Sequence, residues 1–190
     1  MSVDTPEPQP SASHLQSYRD VDWSCWEPVD RATLLFVVDG EQILLIRKKR
    51  GLGAGKINGP GGRIEPGESP KECALRELHE EVGVRALSPV KWGEHHFQFT
   101  DGYSLHVHVF ASKDFTGVPI ETDEAIPLWF SCRELPYDEM WEDDRLWLPY
   151  MLAGRRFTGW YLFDGDSMVD YRLDVEGQED GQQVADQINS

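Results

Sequence analysis

The sequence predicts an α/β (α+β) fold, a mixed sheet with helices on both sides. Three observations predict it. Apolar runs of strand length recur along the chain and are separated by glycine-containing turns. One stretch, residues 62–84, interrupts them with a helix signature. A second, shorter helical stretch lies between Trp141 and Leu152, after most of the strands.

The elements follow in chain order. Residues 1–18 are rich in Pro, Ser and Gln and are expected to be disordered. Residues 19–30 hold Trp23, Cys25 and Trp26 in a polar stretch, an arm expected to lay two indoles on the domain surface rather than to act as a substrate lid. The domain proper is placed at 31–175, after a mostly disordered extension (1–30) and before an acidic, disordered tail (176–190). ATLLFVV (32–38) and QILLIRK (42–48) flank Asp39-Gly40-Glu41 as a hairpin. RGLGAGKINGPGGR (50–63) carries six glycines in fourteen residues and will not hold a regular element. VKWGEHHFQF (90–99) and YSLHVHVFA (103–111) make a second hairpin, in which Leu105, Val107 and Val109 share one face and Ser104, His106 and His108 the other. LWFS (128–131) is a short strand. Pro149 should break or kink the helix begun near Trp141. Residues 155–175 read as a last hairpin around Gly165.

Composition limits the function classes. The net charge is −16 and only six residues are lysine. Such a chain does not grip a nucleic-acid backbone or an anionic membrane electrostatically. A phosphate substrate stays open, because a bound metal inverts the local sign. No apolar run approaches membrane-spanning length. Cys25, Cys73 and Cys132 are an odd set without metal-ligand spacing, and no secretory segment precedes them. They read as reduced thiols in a cytoplasmic protein. A monomer is expected.

The chemistry gathers on the helix after residue 69. Ser69, Pro70 and Glu72 make a capped start, and Gly83 is a stop. Leu75, Leu78 and Val82 should face a core, with Ala74 flanking. Glu77, Glu80 and Glu81 fall at i, i+3 and i+4 on another face. Three carboxylates so placed repel one another, which a chain tolerates where a cation sits over them.

The spacing Gly62, five residues, Glu68, seven residues, then REL-HEE-VGV from Arg76 resembles the Nudix box at every specified position. That resemblance implies an α/β/α sandwich with a mixed curved sheet, and hydrolysis of a nucleoside diphosphate linked to another moiety with Mg²⁺ or Mn²⁺. It makes Glu77, Glu80 and Glu81 the metal-facing carboxylates, with Glu81 or Glu77 as the base. Arg76 would fix a glutamate rotamer and Glu68 would be its partner or an outer ligand. The backbone near Gly62 would add a carbonyl ligand, and Glu124 would be an extra acid from a distant loop. Gly83 belongs to the same structural set.

The likeness runs on beyond the box. KKRGLGAGKINGPGG (48–62), HVHVF (106–110), PYDEMWEDDRLW (136–147) and FTGWYLFDG (157–165) are similar to the mammalian-type oxidised-purine nucleoside triphosphatases. These cleave 8-oxo-dGTP and 2-hydroxy-dATP to monophosphate and pyrophosphate. The resemblance puts Asn58, Trp141, Asp143 and Asp144 on base-recognition positions and Thr33, Lys48, Phe97 and Phe99 on the pocket wall. The residue chemistry leaves other roles open: a core indole for Trp141, a helix cap for the two aspartates, a left-handed turn for Asn58. Adjacent acids in a dry pocket resist ionising together, so one can donate while the other accepts. Leu52, Ile57, Pro60 and Leu105 depart from the family's aromatic and methionine residues and imply a looser pocket. His95, His96, His106 and His108 could suggest a transition-metal site, but without ligand spacing they are expected to form a polar sheet face or pocket rim instead. The competing functions are a Nudix hydrolase of a methylated purine triphosphate or a dinucleotide polyphosphate, and a nucleotide sensor without turnover.

Overall fold

The computed structural model describes residues 15–177, so the expectations for 1–14 and 178–190 lie outside the described residues. Strands β1 (Asp30–Asp39) and β2 (Gln42–Lys48) form the first hairpin, closed at Gly40 with φ +60°. They are followed by β3 (Ile57–Asn58), helix α1 (Pro70–Val82), β4 (Arg85–Ala86), β5 (Val90–Phe99), β6 (Ser104–Ser112) and β7 (Phe115–Thr116). Then come β8 (Ala125–Ser131), helix α2 (Asp144–Leu152), β9 (Phe157–Asp164) and β10 (Ser167–Val175). The main sheet runs β10-β9-β5-β6-β1-β2-β3, with β8 also on β2. It is mixed: β1 with β6 and β5 with β9 are parallel and the other pairs antiparallel.

Alternation along the strands divides the core between the two faces. Leu35, Val37, Leu44 and Ile46 pack under α1 with Ala74, Leu78 and Val82. Phe36, Ile43, Leu45, Val107 and Val109 face the other way, onto Trp147, Leu148 and Met151 of α2. Helices thus cover both faces, as the α/β pattern predicts.

The glycine-rich segment is woven into this sheet rather than left as a free loop. Asn58 pairs with Ile46 of β2, while the N–H groups of Thr33 and Leu35 in β1 donate to the carbonyls of Gly62 (2.9 Å) and Pro60 (2.8 Å). A Cβ at Gly61 would stand 1.9 Å from the Thr33 carbonyl oxygen, so only glycine permits that approach.

Helix α1 starts and stops where its caps dictate. Ser69 and Glu72 complete a capping box, and Gly83 ends the helix at φ +74°. Helix α2 differs from expectation, because Pro149 lies inside it and does not end it. The helix runs on to Leu152, and the buried side chains of Trp147, Leu148 and Met151 hold the last turn against the sheet. Packing outweighs one missing backbone hydrogen bond.

The arm before β1 is anchored at both ends. The Ser17 hydroxyl donates to Asp170 Oδ2 at 2.5 Å, and the Trp26 indole N–H donates to Gln98 Oε1 at 2.9 Å. The rings of Trp23 and Trp26 lie against His96. This is the α1 side of the sheet, where β5 extends beyond the helix.

Candidate active site

The acidic helix delivers its carboxylates unequally. Glu81 is 2% exposed and accepts the Gly61 N–H at 2.8 Å, with Lys48 Nζ 3.7 Å from its other oxygen. Burial pushes its carboxyl up to about 7, against the opposing pull of Lys48 and the Gly61 N–H. Glu77 lies over Gly62, where a Cβ would stand 2.3 Å from its carboxyl carbon. Burial raises the Glu77 carboxyl too. Glu80 is half exposed and turns to Arg76 (3.0 Å). The structure therefore brings Glu77 and Glu81 together and leaves Glu80 at the rim.

Arg76 is the hub behind these acids. Its guanidinium grips Glu68 with two bonds (2.8 and 2.9 Å) and donates to Glu77 at 2.7 Å. The paired guanidinium holds the Glu68 carboxyl down to about 2. The expected repulsion among the helix acids is thus partly relieved within the helix itself. Glu124 comes in from the loop before β8. Its main-chain carbonyl accepts from Lys49 N–H at 2.9 Å, and its carboxylate is paired with Arg50. Its charge is felt at Glu81. The Gly62 carbonyl accepts the Thr33 N–H with one of its two lone pairs, and its missing side chain leaves room for Glu77.

A cavity of about 290 Å³ runs between the sheet and α2, and its wall includes Lys48, Gly61 and Gly62, which touch Glu81 and Glu77 from the other side. Lys48, Asn58, Phe97, Phe99, Trp141, Asp143 and Asp144 all line it, so residues far apart in the chain converge as the resemblance implies. Asp143 and Asp144 are 2% and 3% exposed. Burial raises both carboxyls, and each resists the other's ionisation. Asp143 accepts the Trp147 indole N–H at 3.0 Å, and Asp144 accepts the Trp141 N–H at 3.1 Å. Asp143 stands at the helix N-cap but its carboxylate makes no cap bond. The helix-cap role is therefore not the one Asp143 plays. Trp141 is held edge-on to Phe163 and under the Lys56 ammonium (4.9 Å).

Thr33 borders the cavity, while its hydroxyl turns to the α1 side and donates to Cys73 Sγ at 3.3 Å. Two other expectations need correction. Asn58 takes no left-handed turn. It sits in β3, and its side-chain oxygen accepts the Gly59 N–H at 2.8 Å. The four histidines do not share one face. His95 points into the cavity side, packed on Trp147 (4.7 Å) and Phe157 (5.1 Å), with neither ring nitrogen bonded. His96, His106 and His108 lie on the opposite face. The i, i+2 rule that groups Phe97 with Phe99 also reaches His95. Leu34, Arg63, Tyr103, Trp147 and Phe163 also line the cavity. Trp147 and Phe163 lie in stretches that carry the resemblance, while Leu34, Arg63 and Tyr103 had no signal beyond apolar or ordinary surface residues.

The chemistry of the donor set fits a hard divalent cation: buried carboxylate oxygens, no sulfur, and charge that burial alone disfavours. Among the described residues no helix is long and apolar enough to cross a membrane.

Comparison with known proteins agrees with this geometry. Residues 28–151 match the NUDIX domain family. The oxidized purine nucleoside triphosphate hydrolase of Danio rerio is 43% identical over 144 residues, covering 75% of this chain and 92% of that protein. The Mus musculus protein of the same name is 38% identical over 143 residues, covering 74% and 92%. A MutT mutator protein from Bacillus halodurans superposes with a TM-score of 0.70 at 27% identity, over 77% of this chain and 98% of that one. With the acidic helix, its arginine hub and the adjoining cavity assembled on a matching fold, this chain belongs to the Nudix hydrolase family.

Proposed function

We propose that the protein hydrolyses oxidised purine nucleoside triphosphates to monophosphate and pyrophosphate, clearing them from the nucleotide pool. The observation that carries the proposal is the adjacent, buried Asp143–Asp144 pair in a cavity that also takes in Lys48, Gly61 and Gly62, the residues against which Glu81 and Glu77 lie. The proteins named oxidized purine nucleoside triphosphate hydrolase lend it support through their likeness over three quarters of this chain.

Each end has its own work. Glu77 and Glu81, with Glu80 and Glu124 as outer acids, would hold Mg²⁺, with Mn²⁺ as a substitute. When bound, the metal neutralises charge on the phosphate oxygens and activates water. Glu81 or Glu77 takes the proton of the attacking water. Arg76 and Glu68 keep Glu77 in its rotamer, and Lys48 offers a cation toward the phosphates. At the other end Trp141 offers a flat face to the purine, with Phe97 and Phe99 on the wall. One aspartate stays protonated and donates, while its neighbour accepts from ring N–H groups. Exchanging which one is protonated lets one cavity take either an 8-oxoguanine or a 2-hydroxyadenine pattern, and Asn58 reads a further edge. We include a monomeric, cytoplasmic enzyme acting on free nucleotides in the same proposal.

The test is a panel of modified nucleoside triphosphates with Mg²⁺, read as pyrophosphate release. The proposal expects oxidised purines to lead. Leadership by a methylated purine triphosphate or a dinucleotide polyphosphate would keep the hydrolase and replace the substrate. Leu52 and Leu105 line the cavity as aliphatic residues, so the panel must include both classes. Tight binding without turnover would make the protein a sensor.

A further inference from the structure

On the sheet face opposite the cavity, β5 and β6 carry a second constellation that the hydrolysis does not use. In their antiparallel register Glu94 stands opposite His108, and His96 opposite His106. Alternate residues of a strand share a face, and opposed residues have Cβ atoms about 5 Å apart. Glu94, His96, His106 and His108 therefore form a two-by-two array of one carboxylate and three imidazoles. Among these, one ligand atom each from Glu94, His96 and His106 all lie within 4.8 Å of one another. Glu94 Oε2 is 3.6 Å from both His106 Nε2 and His108 Nδ1.

Those distances are too long for hydrogen bonds. They are close to the spacing of about 3.4 Å between ligands that each sit 2.0–2.1 Å from one tetrahedral ion. His106 Nε2 and His108 Nδ1 are shielded from solvent and have no hydrogen-bond partner. Leaving such atoms unpaired is costly, which asks for an explanation. His96 has its Nδ1 beside the Gly159 carbonyl (3.3 Å). That contact favours the tautomer with the proton on Nδ1 and the lone pair on Nε2, the arrangement that orients metal-ligating imidazoles. The rings of His96 and His106 are nearly parallel, 4.6 Å apart, and must tilt to converge. The second side-chain torsion of histidine is soft enough to allow it. Trp23, Trp26 and Trp160 wall the array within 6.5 Å of its rings, which shields it from water. Lys91 Nζ occupies Glu94 Oε2 at 2.6 Å from an exposed position, and must swing out when a cation enters.

We propose that Glu94, His96 and His106, with His108 as a fourth ligand, form a binding site for a transition-metal dication of the zinc class, separate from the catalytic carboxylates. Nitrogen-rich donor sets of this kind select such ions over Mg²⁺. The site would fasten β5 and β6 beneath the arm that carries Trp23 and Trp26.

The experiment is Zn²⁺ binding to the full chain in millimolar Mg²⁺, by competition with a chromogenic chelator. One equivalent at micromolar or tighter Kd is expected. His106→Ala and Glu94→Gln should each weaken it at least about tenfold. Glu81→Gln should leave it unchanged, and Lys91→Ala should bind at least as tightly. The unmodified chain gives an independent readout: Cu²⁺ should quench emission from the adjacent tryptophans saturably, and Zn²⁺ should compete the quenching away. No Zn²⁺ retained in Mg²⁺, or binding lost in Glu81→Gln but kept in His106→Ala, would overturn the proposal.

Discussion

At the scale of single residues, the site depends on two very close approaches. Glu81 has a Gly61 N–H on one oxygen and Lys48 near the other, in a place that burial makes unfavourable for charge. Glu81→Gln keeps the shape and the Gly61 contact but removes the charge. It should cut pyrophosphate release by at least ~100-fold with an unchanged circular dichroism spectrum, the scale expected for losing an acid–base group. Gly62→Ala tests the other approach. Its methyl would overlap the Glu77 carboxyl carbon at 2.3 Å, so Glu77 must move. A displacement of about 1 Å near reacting groups costs on the order of 10²-fold. Turnover should fall accordingly while Mg²⁺-free thermal stability changes little, because Glu77 is a side chain at a site edge and can shift. The carboxylates were legible in the sequence because helical spacing converts directly into a shared face. Their inequality was not: that Glu80 turns outward to Arg76 depends on which side of α1 the segment at 59–62 lies, a long-range fact. For the same reason Arg50, which pairs with Glu124 across 74 residues, gave no local sign.

At the scale of elements, alternation was the more informative pattern. Apolar runs bounded by turn residues placed β1, β2, β5 and the last hairpin within about two residues of where they lie, and alternation divided the residues of β6 between the two faces. It also separates His95 from His96, a distinction hidden by treating the histidines as one group. Pro149 shows the limit of local rules: a nine-residue helix survives it because three buried side chains fix its far end. The arm is the other element whose role follows from place. Trp26 is bonded to Gln98 and packed against His96, on the face opposite Phe97 and Phe99 of the cavity. Trp26→Ala should therefore cost roughly 1–3 kcal/mol of stability from lost aromatic packing and one hydrogen bond. Its kcat/KM should stay within about twofold. A large fall in kcat/KM at unchanged stability would instead make the arm a lid.

For the whole molecule, the buried titratable groups predict how stability follows pH. Asp143 and Asp144 have folded values above the unfolded one near 3.8. Folding favours their protonated forms, so that contribution is complete below pH ~4 and is lost as pH rises through neutrality. His95 runs the other way, since burial holds it well below 6.5 and its contribution is lost as pH falls under that value. The two oppose each other between about 4 and 6.5, and above 6.5 only the carboxyl contribution still changes. In EDTA, Tm should decline from pH 6.5 to 8.5, and the Asp143→Asn/Asp144→Asn double variant should show a shallower decline. Glu81 adds to the decline in the same direction.

The same aspartates carry the central claim, that the cavity end selects the base while the acidic helix cleaves. Asp143→Asn or Asp144→Asn should reduce the preference among purines more than it reduces total turnover, because neither touches the Glu77–Glu81 end. The most direct measurement compares initial rates of Mg²⁺-dependent pyrophosphate release from 8-oxo-dGTP and from dGTP by the unmodified protein. The account predicts a kcat/KM for the oxidised nucleotide at least ~10-fold higher, about 1.4 kcal/mol of discrimination. Equal values for the two nucleotides would contradict it.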